Sequence, residues 1–240
     1  MVETHPVAVR EVIDETPVDR TFVFGVPAGA EAAFAFRPGQ FVTVSDPDDT
    51  ARPPRKKAYS ISSSPLEAGR FDVTVRNAGD FGMRFYAFPA GKVLTVIPPR
   101  GRFTLDEPVL DDLLLVSGGS GVTPYRGFVR FLRARGHARP VTLVSSARAP
   151  EDLVFDAEFR RHAAEAPWFR YVPTVTRLAQ GAAFDGRRGR IDEALLRSLV
   201  RDPSTTTLYA CGPDPLVDAA LAIGVALKIP DAKRRKEKWG

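Results

Sequence analysis

The run Leu113-Leu114-Leu115-Val116 divides this chain into two grammars. Four consecutive apolar residues suit a strand buried on both faces. They run through Ser117 into Gly118-Gly119-Ser120-Gly121, a glycine-rich turn. Upstream lie short β-rich segments: Val7–Val12, Thr21–Phe24, Gln40–Val44, Arg70–Val75 and Val93–Ile97. Gly, Pro and Asp punctuate them, which predicts an antiparallel barrel or sandwich, interrupted by one short helix near Gly82–Phe88. Downstream, strands alternate with helices. Strands are expected at Val141–Ser145, Tyr171–Thr176 and Thr207–Ala210, and helices at Pro124–Arg135, Glu151–Ala164, Asp192–Val200 and Pro215–Val225. That alternation predicts a parallel α/β sheet. The boundary falls near residues 105–112, giving domains at 1–107 and 108–240. The basic tail from Lys233 to Trp239 reads as a last strand returning to the sheet.

Composition narrows the chemistry. A single cysteine, Cys211, excludes an internal disulfide and a Cys-ligated zinc or iron–sulfur site within the chain. His5, His137 and His162 are scattered, so no metal site is expected and each reads as a surface residue. No apolar run approaches the eighteen or so residues of a membrane span. Met1-Val2-Glu3-Thr4-His5-Pro6 lacks the pattern of a signal peptide. The expectation is a cytoplasmic chain without membrane contact. The net charge of +5 is uneven: residues 1–112 hold 13 Lys+Arg against 16 Asp+Glu, and residues 113–240 hold 21 against 13. The basic half suits a phosphate-rich cofactor or an acidic protein, or it is a set of solvated faces. It lacks interleaved stacking aromatics and a known recognition motif, which argues against nucleic acid.

Three segments carry chemistry. On an extended strand Lys57-Ala58-Tyr59-Ser60 places Lys57 and Tyr59 on one face and Ala58 and Ser60 on the other. Alone it reads equally as a basic edge strand with a core tyrosine. The turn Gly119-Ser120-Gly121, with Thr123 and Pro124 opening a helix, lets backbone N–H groups approach an anion. A tight strand-to-helix turn of no function has the same composition. Cys211-Gly212-Pro213 ends a strand and precedes a helix, where an open parallel sheet forms its ligand crevice. A buried structural cysteine before a turn is the alternative.

In this order and spacing the three segments resemble the ferredoxin-NADP reductase superfamily, over nearly the whole chain. The resemblance implies a flavin-binding antiparallel β-barrel followed by an NAD(P)-binding α/β domain, with FAD and NADPH as cofactors and NADH as the alternative donor. It implies that Lys57 stands where the family's Arg meets the flavin phosphate, that Tyr59 packs at the flavin ring, and that Ser60 hydrogen-bonds near N5. Lysine lacks the bidentate fork of arginine, for which Arg55 or Lys56 could compensate. Gly82 and Met83 match backbone contacts to the pyrophosphate. Met83 replaces the family's hydroxyl, and Arg84 could supply charge. Cys211, Gly212 and Pro213 would lie beside the nicotinamide, with Cys211 and Ser60 as orienting groups at the reacting centre. Trp239 matches the family's terminal aromatic. Ser145 or Ser146, with Arg148, Arg177 and Arg190, match groups that read a 2′-phosphate. The implied partner is a ferredoxin, a flavodoxin or an oxygenase component. A reductase of free flavin is the enzymatic alternative. A regulatory module that has lost flavin is the other, favoured by Lys57 and Met83.

Overall fold

The computed structural model describes residues 3–51 and 53–238. It divides into two compact units, Met1–Leu105 with Thr123–Arg135, and Asp106–Val122 with Gly136–Gly240.

The first unit is built on six antiparallel strands: β1 (His5–Thr16), β2 (Asp19–Gly25), β3 (Phe41–Ser45), β4 (Lys56–Ser60), β5 (Arg70–Arg76) and β6 (Val93–Arg100). Their order is β4-β3-β6-β1-β2-β5. Ile61, one residue beyond β4, bridges to Val73 of β5, and the Ser62 N–H donates to the Asp72 carbonyl at 2.8 Å, so the sheet curls back on itself. Lys56–Ser60 itself pairs with β3 and leaves its second edge without a named strand. The hairpin between β1 and β2 is fixed by Thr16, whose hydroxyl donates to Asp19 at 2.7 Å while accepting the Asp19 N–H at 2.9 Å. Aromatics fill the interior. Phe24 stacks on Phe71 at 5.1 Å, and Phe85 of helix α1 (Gly79–Tyr86) packs on Phe22 at 4.7 Å.

Charges sit at the barrel surface in pairs made by buried aspartates. Asp19 is held by Arg76, Asp72 by Arg70, Asp46 by Arg84 and Lys92, and Asp49 by Arg55; all four carboxylates are fully or almost fully buried. Burial works to raise the Asp46 pKa, but hydrogen bonds from Lys92 and Arg84 outweigh it and hold the carboxyl below its ordinary value. Helix α2 (Thr123–Ala134) packs on this unit. A Cβ on Gly127 would stand 2.8 Å from the Ser63 carbonyl oxygen, and Arg130 reaches Glu67 at 3.3 Å.

The second unit is a parallel sheet of β7 (Asp112–Gly118), β8 (Val141–Ala147), β9 (Phe169–Val175), β10 (Arg187–Arg188), β11 (Thr206–Gly212) and β12 (Arg234–Lys238). The order is β10-β9-β8-β7-β11-β12, with every neighbour parallel. The strand order therefore reverses between β7 and β11. β11 is buried throughout and β7 nearly so, as expected of central strands. Helices α3 (Asp156–Glu165), α4 (Glu193–Leu199) and α5 (Asp214–Ala226) alternate with the strands. Asp192 caps α4, its side chain accepting from the Leu195 N–H at 2.8 Å.

The helix expected from Glu151 starts later. Pro150–Asp152 is a single 3₁₀ turn, Leu153, Val154 and Phe155 run on as buried non-helical chain, and Phe155 has φ +63°. Three bulky residues in a row bury better without a helical twist that would turn one of them to solvent. The tail does return as β12. Four of its cations are paired, Lys233 with Asp111, Arg234 with Asp231, Arg235 with Asp106 and Lys238 with Asp218, and Lys236 is exposed. Among the described residues no helix is long and apolar enough to cross a membrane.

Candidate functional site

In the first unit the site is assembled by β4 and α1. Tyr59 is buried, its ring edge-on to Phe85 at 5.2 Å. Its hydroxyl is buried too, with no hydrogen-bond partner among the described residues. Burial alone pushes the phenol pKa up, so the group is a neutral donor. An orphaned buried hydroxyl costs on the order of 1–3 kcal/mol, and a bound molecule that pairs with it removes the cost. The Lys57 ammonium lies 5.9 Å from the Tyr59 ring centre. Lys56, Lys57 and Ala58 are exposed and Ser60 is half-buried. Neither lysine has an ion-pair partner among the described residues. One strand thus carries a buried aromatic ring with an unsatisfied hydroxyl and two cations without ion-pair partners among the described residues, which fits a flavin with its phosphate.

Helix α1 supplies the rest. Its N-cap, Ala78, makes no side-chain cap, so the first-turn N–H groups lack that partner. Gly82 is buried and allows close packing: a Cβ there would stand 2.9 Å from the Arg76 carbonyl oxygen. Met83 is 51% exposed and offers no hydroxyl. Arg84 is committed elsewhere. Its guanidinium donates to Asp46 through Nε at 2.7 Å and through a second, shorter contact. The compensating charge expected of Arg84 is therefore spent on Asp46, and Arg55 is likewise held by Asp49. Lys56 and Lys57 remain.

In the second unit the two glycine loops meet at the reversal of strand order. Gly118 ends β7, a 3₁₀ turn spans Gly119–Val122, and Thr123 and Pro124, both buried, open α2. A Cβ on Gly121 would lie 2.2 Å from the Cys211 carbonyl oxygen. Gly212 has φ +141° and lies 3.0 Å, measured from its would-be Cβ, from the Gly118 carbonyl oxygen. Gly119 has φ +54°. These glycines let two loops touch at the reversal of strand order, the place where an open parallel sheet forms its ligand crevice. Ser120 is half-buried on this turn.

Cys211 is fully buried, its Sγ 3.9 Å from the Glu237 carboxylate on β12. Burial and that carboxylate push the thiol pKa well up. It stays protonated and is no nucleophile. Pro213 is exposed before α5. Trp239 lies outside the described residues.

Three of the arginines come together. The Arg177 N–H donates to the Arg148 carbonyl at 2.7 Å, and the Gly189 N–H donates to the Val175 carbonyl at 2.8 Å. Arg148, Arg177 and Arg190 thus follow the carboxyl ends of β8, β9 and β10, three adjacent strands. All three are exposed and lack an ion-pair partner among the described residues, Glu151 and Asp152 included. Ser145 does not join them. It is 2% exposed and hydrogen-bonds Tyr171, whereas the neighbouring Ser146 is half-exposed. Sequence reading missed that choice. The two-residue alternation places Ser145 on the face of buried Leu143, which was the available signal.

Histidines depart from expectation as well. His162 is buried and reaches Glu158 at 3.3 Å, and His137 is half-buried against Trp168. Among the described residues no group of three or more His, Cys, Asp or Glu side chains could hold a metal ion.

The chain thus joins an antiparallel sheet that curls back on itself to a parallel α/β sheet whose glycine loops meet at its reversal point. A family model described as oxidoreductase NAD-binding domain matches residues 115–221. The chain is 33% identical over 219 residues to the glycine betaine monooxygenase reductase subunit of Chromohalobacter salexigens, covering 90% of this chain and 58% of that protein. It is 30% identical over 213 residues to the ferredoxin reductase component of 3-ketosteroid-9-alpha-monooxygenase from Rhodococcus rhodochrous, covering 88% and 58%. The chain thus spans little more than half the length of these relatives. Among solved structures it is similar to the Amycolatopsis cytochrome P450 reductase GcoB (TM-score 0.83, 26% identity, 98% of this chain and 69% of that one). It also shares its fold with a ferredoxin NADP+ reductase from Neisseria gonorrhoeae, at TM-score 0.83 and 21% identity over 99% of both chains. Over about nine tenths of its length the chain is thus similar to reductase subunits and ferredoxin reductase components of monooxygenases, and its second unit matches the oxidoreductase NAD-binding domain.

Proposed function

We propose that this chain is a flavin-dependent NAD(P)H oxidoreductase that delivers electrons to a ferredoxin, a flavodoxin or an oxygenase component. The observation that carries the reading is the buried Tyr59 hydroxyl on the edge strand β4, without a hydrogen-bond partner among the described residues, beside Lys56 and Lys57, which have no ion-pair partner among them. A flavin when bound supplies the exchange between two-electron and one-electron chemistry.

The residues of the chain bind, orient and shield. Tyr59 packs against the ring system and pairs its hydroxyl with the flavin. Lys57, with Lys56, meets the phosphate as a point charge. The first-turn N–H groups of α1, around Gly82 and Met83, meet the same anion. Ser60 orients the reactive edge through its hydroxyl. The Gly119-Ser120-Gly121 turn, with Thr123 and Pro124, receives the pyrophosphate of the nicotinamide nucleotide, and Cys211-Gly212-Pro213 shapes the end that takes the nicotinamide. No side chain here needs to gain or lose a proton, in keeping with the neutral phenol of Tyr59 and the protonated thiol of Cys211. Ser146, Arg148, Arg177 and Arg190 read the 2′-phosphate, which favours NADPH over NADH. Domains at 1–107 for flavin and 108–240 for the nucleotide complete the reading. It also places the chain in the cytoplasm, where a free cysteine persists.

The similarity to a reductase subunit of one monooxygenase, a ferredoxin reductase component of another and a cytochrome P450 reductase supports an oxygenase-linked acceptor here. The test is NADPH-driven reduction of a ferredoxin by the FAD-loaded protein. A rate that falls steeply with added salt is expected of a basic donor and an acidic acceptor. Flavin reduction with no transfer to a ferredoxin, a flavodoxin or an oxygenase would leave a reductase of small acceptors.

A further inference from the structure

The second unit carries a cavity of about 250 Å3 at the amino edge of its sheet. The first residues of β7 and β8, Trp168 and Arg170 around the start of β9, and Arg201 beyond α4 frame it. The glycine loops lie at the opposite ends of the same strands. The seven residues of β7, at about 3.3 Å each, separate the two places by roughly 20 Å.

The lining combines an apolar slot with unbalanced positive charge. Leu113 and Val141 are buried beneath it, and half-buried Trp168 faces it with Pro140. The indole is held from behind by His137, whose ring meets it edge-on at 5.5 Å and 90°. Asp112 is shared by two guanidiniums, Arg201 at 3.2 Å and Arg139 at 3.6 Å. Arg170 has no ion-pair partner among the described residues. The lining therefore holds Arg170 and Arg201 against Asp112, which Arg139 also pairs from outside the lining, and this leaves positive charge beside the indole. The space has room for a body of one aromatic ring.

We propose that this cavity is a second ligand site, separate from the flavin and nucleotide sites, that binds a small aromatic carboxylate. The ring lies against Trp168 and the carboxylate pairs with Arg170. Asp112, already balanced by Arg139 and Arg201, does not repel it.

Fluorine NMR of 4-fluorobenzoate with the flavin-loaded protein tests this, with 4-fluorobenzylamine as the cationic counterpart. Saturable broadening of the benzoate is expected, with a dissociation constant on the order of a millimolar. Arg170→Ala, at an exposed position, should weaken it about tenfold, and Trp168→Phe should weaken it less. Saturating NADP+ should leave it in place. Absence of saturable binding, equal binding of the amine, an unchanged constant in Arg170→Ala, or displacement by NADP+ would each overturn the proposal. Displacement would place the anion at the nucleotide site instead.

Discussion

Gly121 approaches Cys211 so closely that a Cβ on the glycine would stand 2.2 Å from the cysteine's carbonyl oxygen. The two loops that carry them end β7 and β11, the strands between which the sheet reverses its order. Gly121→Ala must push these loops apart. The expected result is a rise of about tenfold or more in KM for the nicotinamide nucleotide, with flavin content unchanged. That size follows from losing one or two charge-assisted contacts. Steady-state kinetics beside the flavin absorbance ratio checks it, and loss of flavin in the variant would show that the loop serves the wrong cofactor.

Tyr59 permits a test in which two measurements move in opposite directions. Tyr59→Phe removes a buried hydroxyl that has no hydrogen-bond partner among the described residues. The flavin-free protein should gain stability, by about 1 kcal/mol, seen as a higher Tm. Flavin affinity should fall by several-fold. Tyr59→Ala should lose more flavin and stability together, since the packing on Phe85 goes as well. A Phe variant that melts lower and holds flavin as before would mean that the hydroxyl serves the fold.

Ser60→Ala should slow hydride transfer more than it weakens flavin binding. Rapid-mixing rates of flavin reduction, set beside the dissociation constant, separate the two effects. Equal rates in wild type and variant would remove Ser60 from the reaction.

Arg148 separates the two nucleotides. Arg148→Ala should raise KM for NADPH and leave that for NADH nearly unchanged. A charge-assisted contact of this kind contributes roughly 1.5–3 kcal/mol, or about tenfold to a hundredfold. Arg148 is exposed, follows the same strand ends as Arg177 and has no ion-pair partner among the described residues, which motivates it. Equal losses with both nucleotides, or a wild type that prefers NADH, would contradict the assignment.

Acid should destabilise the barrel through its buried aspartates. The folded Asp46 pKa is held below its unfolded value, so the carboxylate adds stability above the unfolded pKa and loses it as pH falls through the folded one. Asp49, held low by Arg55, acts in the same direction. Denaturant unfolding from pH 7 downward should show stability falling below about pH 4. Asp46→Asn should be less stable at neutral pH and show a shallower fall. Parallel curves for the two proteins would exclude Asp46 as a source of the acid sensitivity.

The architecture was legible because each half repeats its own period. Alternation and turns marked the barrel, and the apolar run Leu113–Val116 with its glycines marked a central parallel strand and the start of its loop. Helix α2 was legible as a helix, but its packing on the barrel was not, because that rests on long-range meetings such as Gly127 with the Ser63 carbonyl, Arg126 with Asp72 and Arg130 with Glu67. The site was legible where backbone carries it, as at Gly121 and Gly212. It was less legible where a side chain has a competing partner. Arg84 reads as a free cation in the sequence and is bound to Asp46, thirty-eight residues away in the chain. Ser145 reads as a hydroxyl at a strand end and is buried against Tyr171. Burial and long-range pairing decide such residues, and neither leaves a local pattern.

The central claim is that this chain holds a flavin and reduces it with a nicotinamide nucleotide. Anaerobic addition of NADPH to the purified, FAD-reconstituted protein, followed by visible absorbance, tests it most directly. The account predicts a bound-flavin spectrum that bleaches rapidly with one equivalent of NADPH and more slowly with NADH. A protein that carries no flavin and takes up none on reconstitution, or a bound flavin that neither nucleotide bleaches, would contradict it.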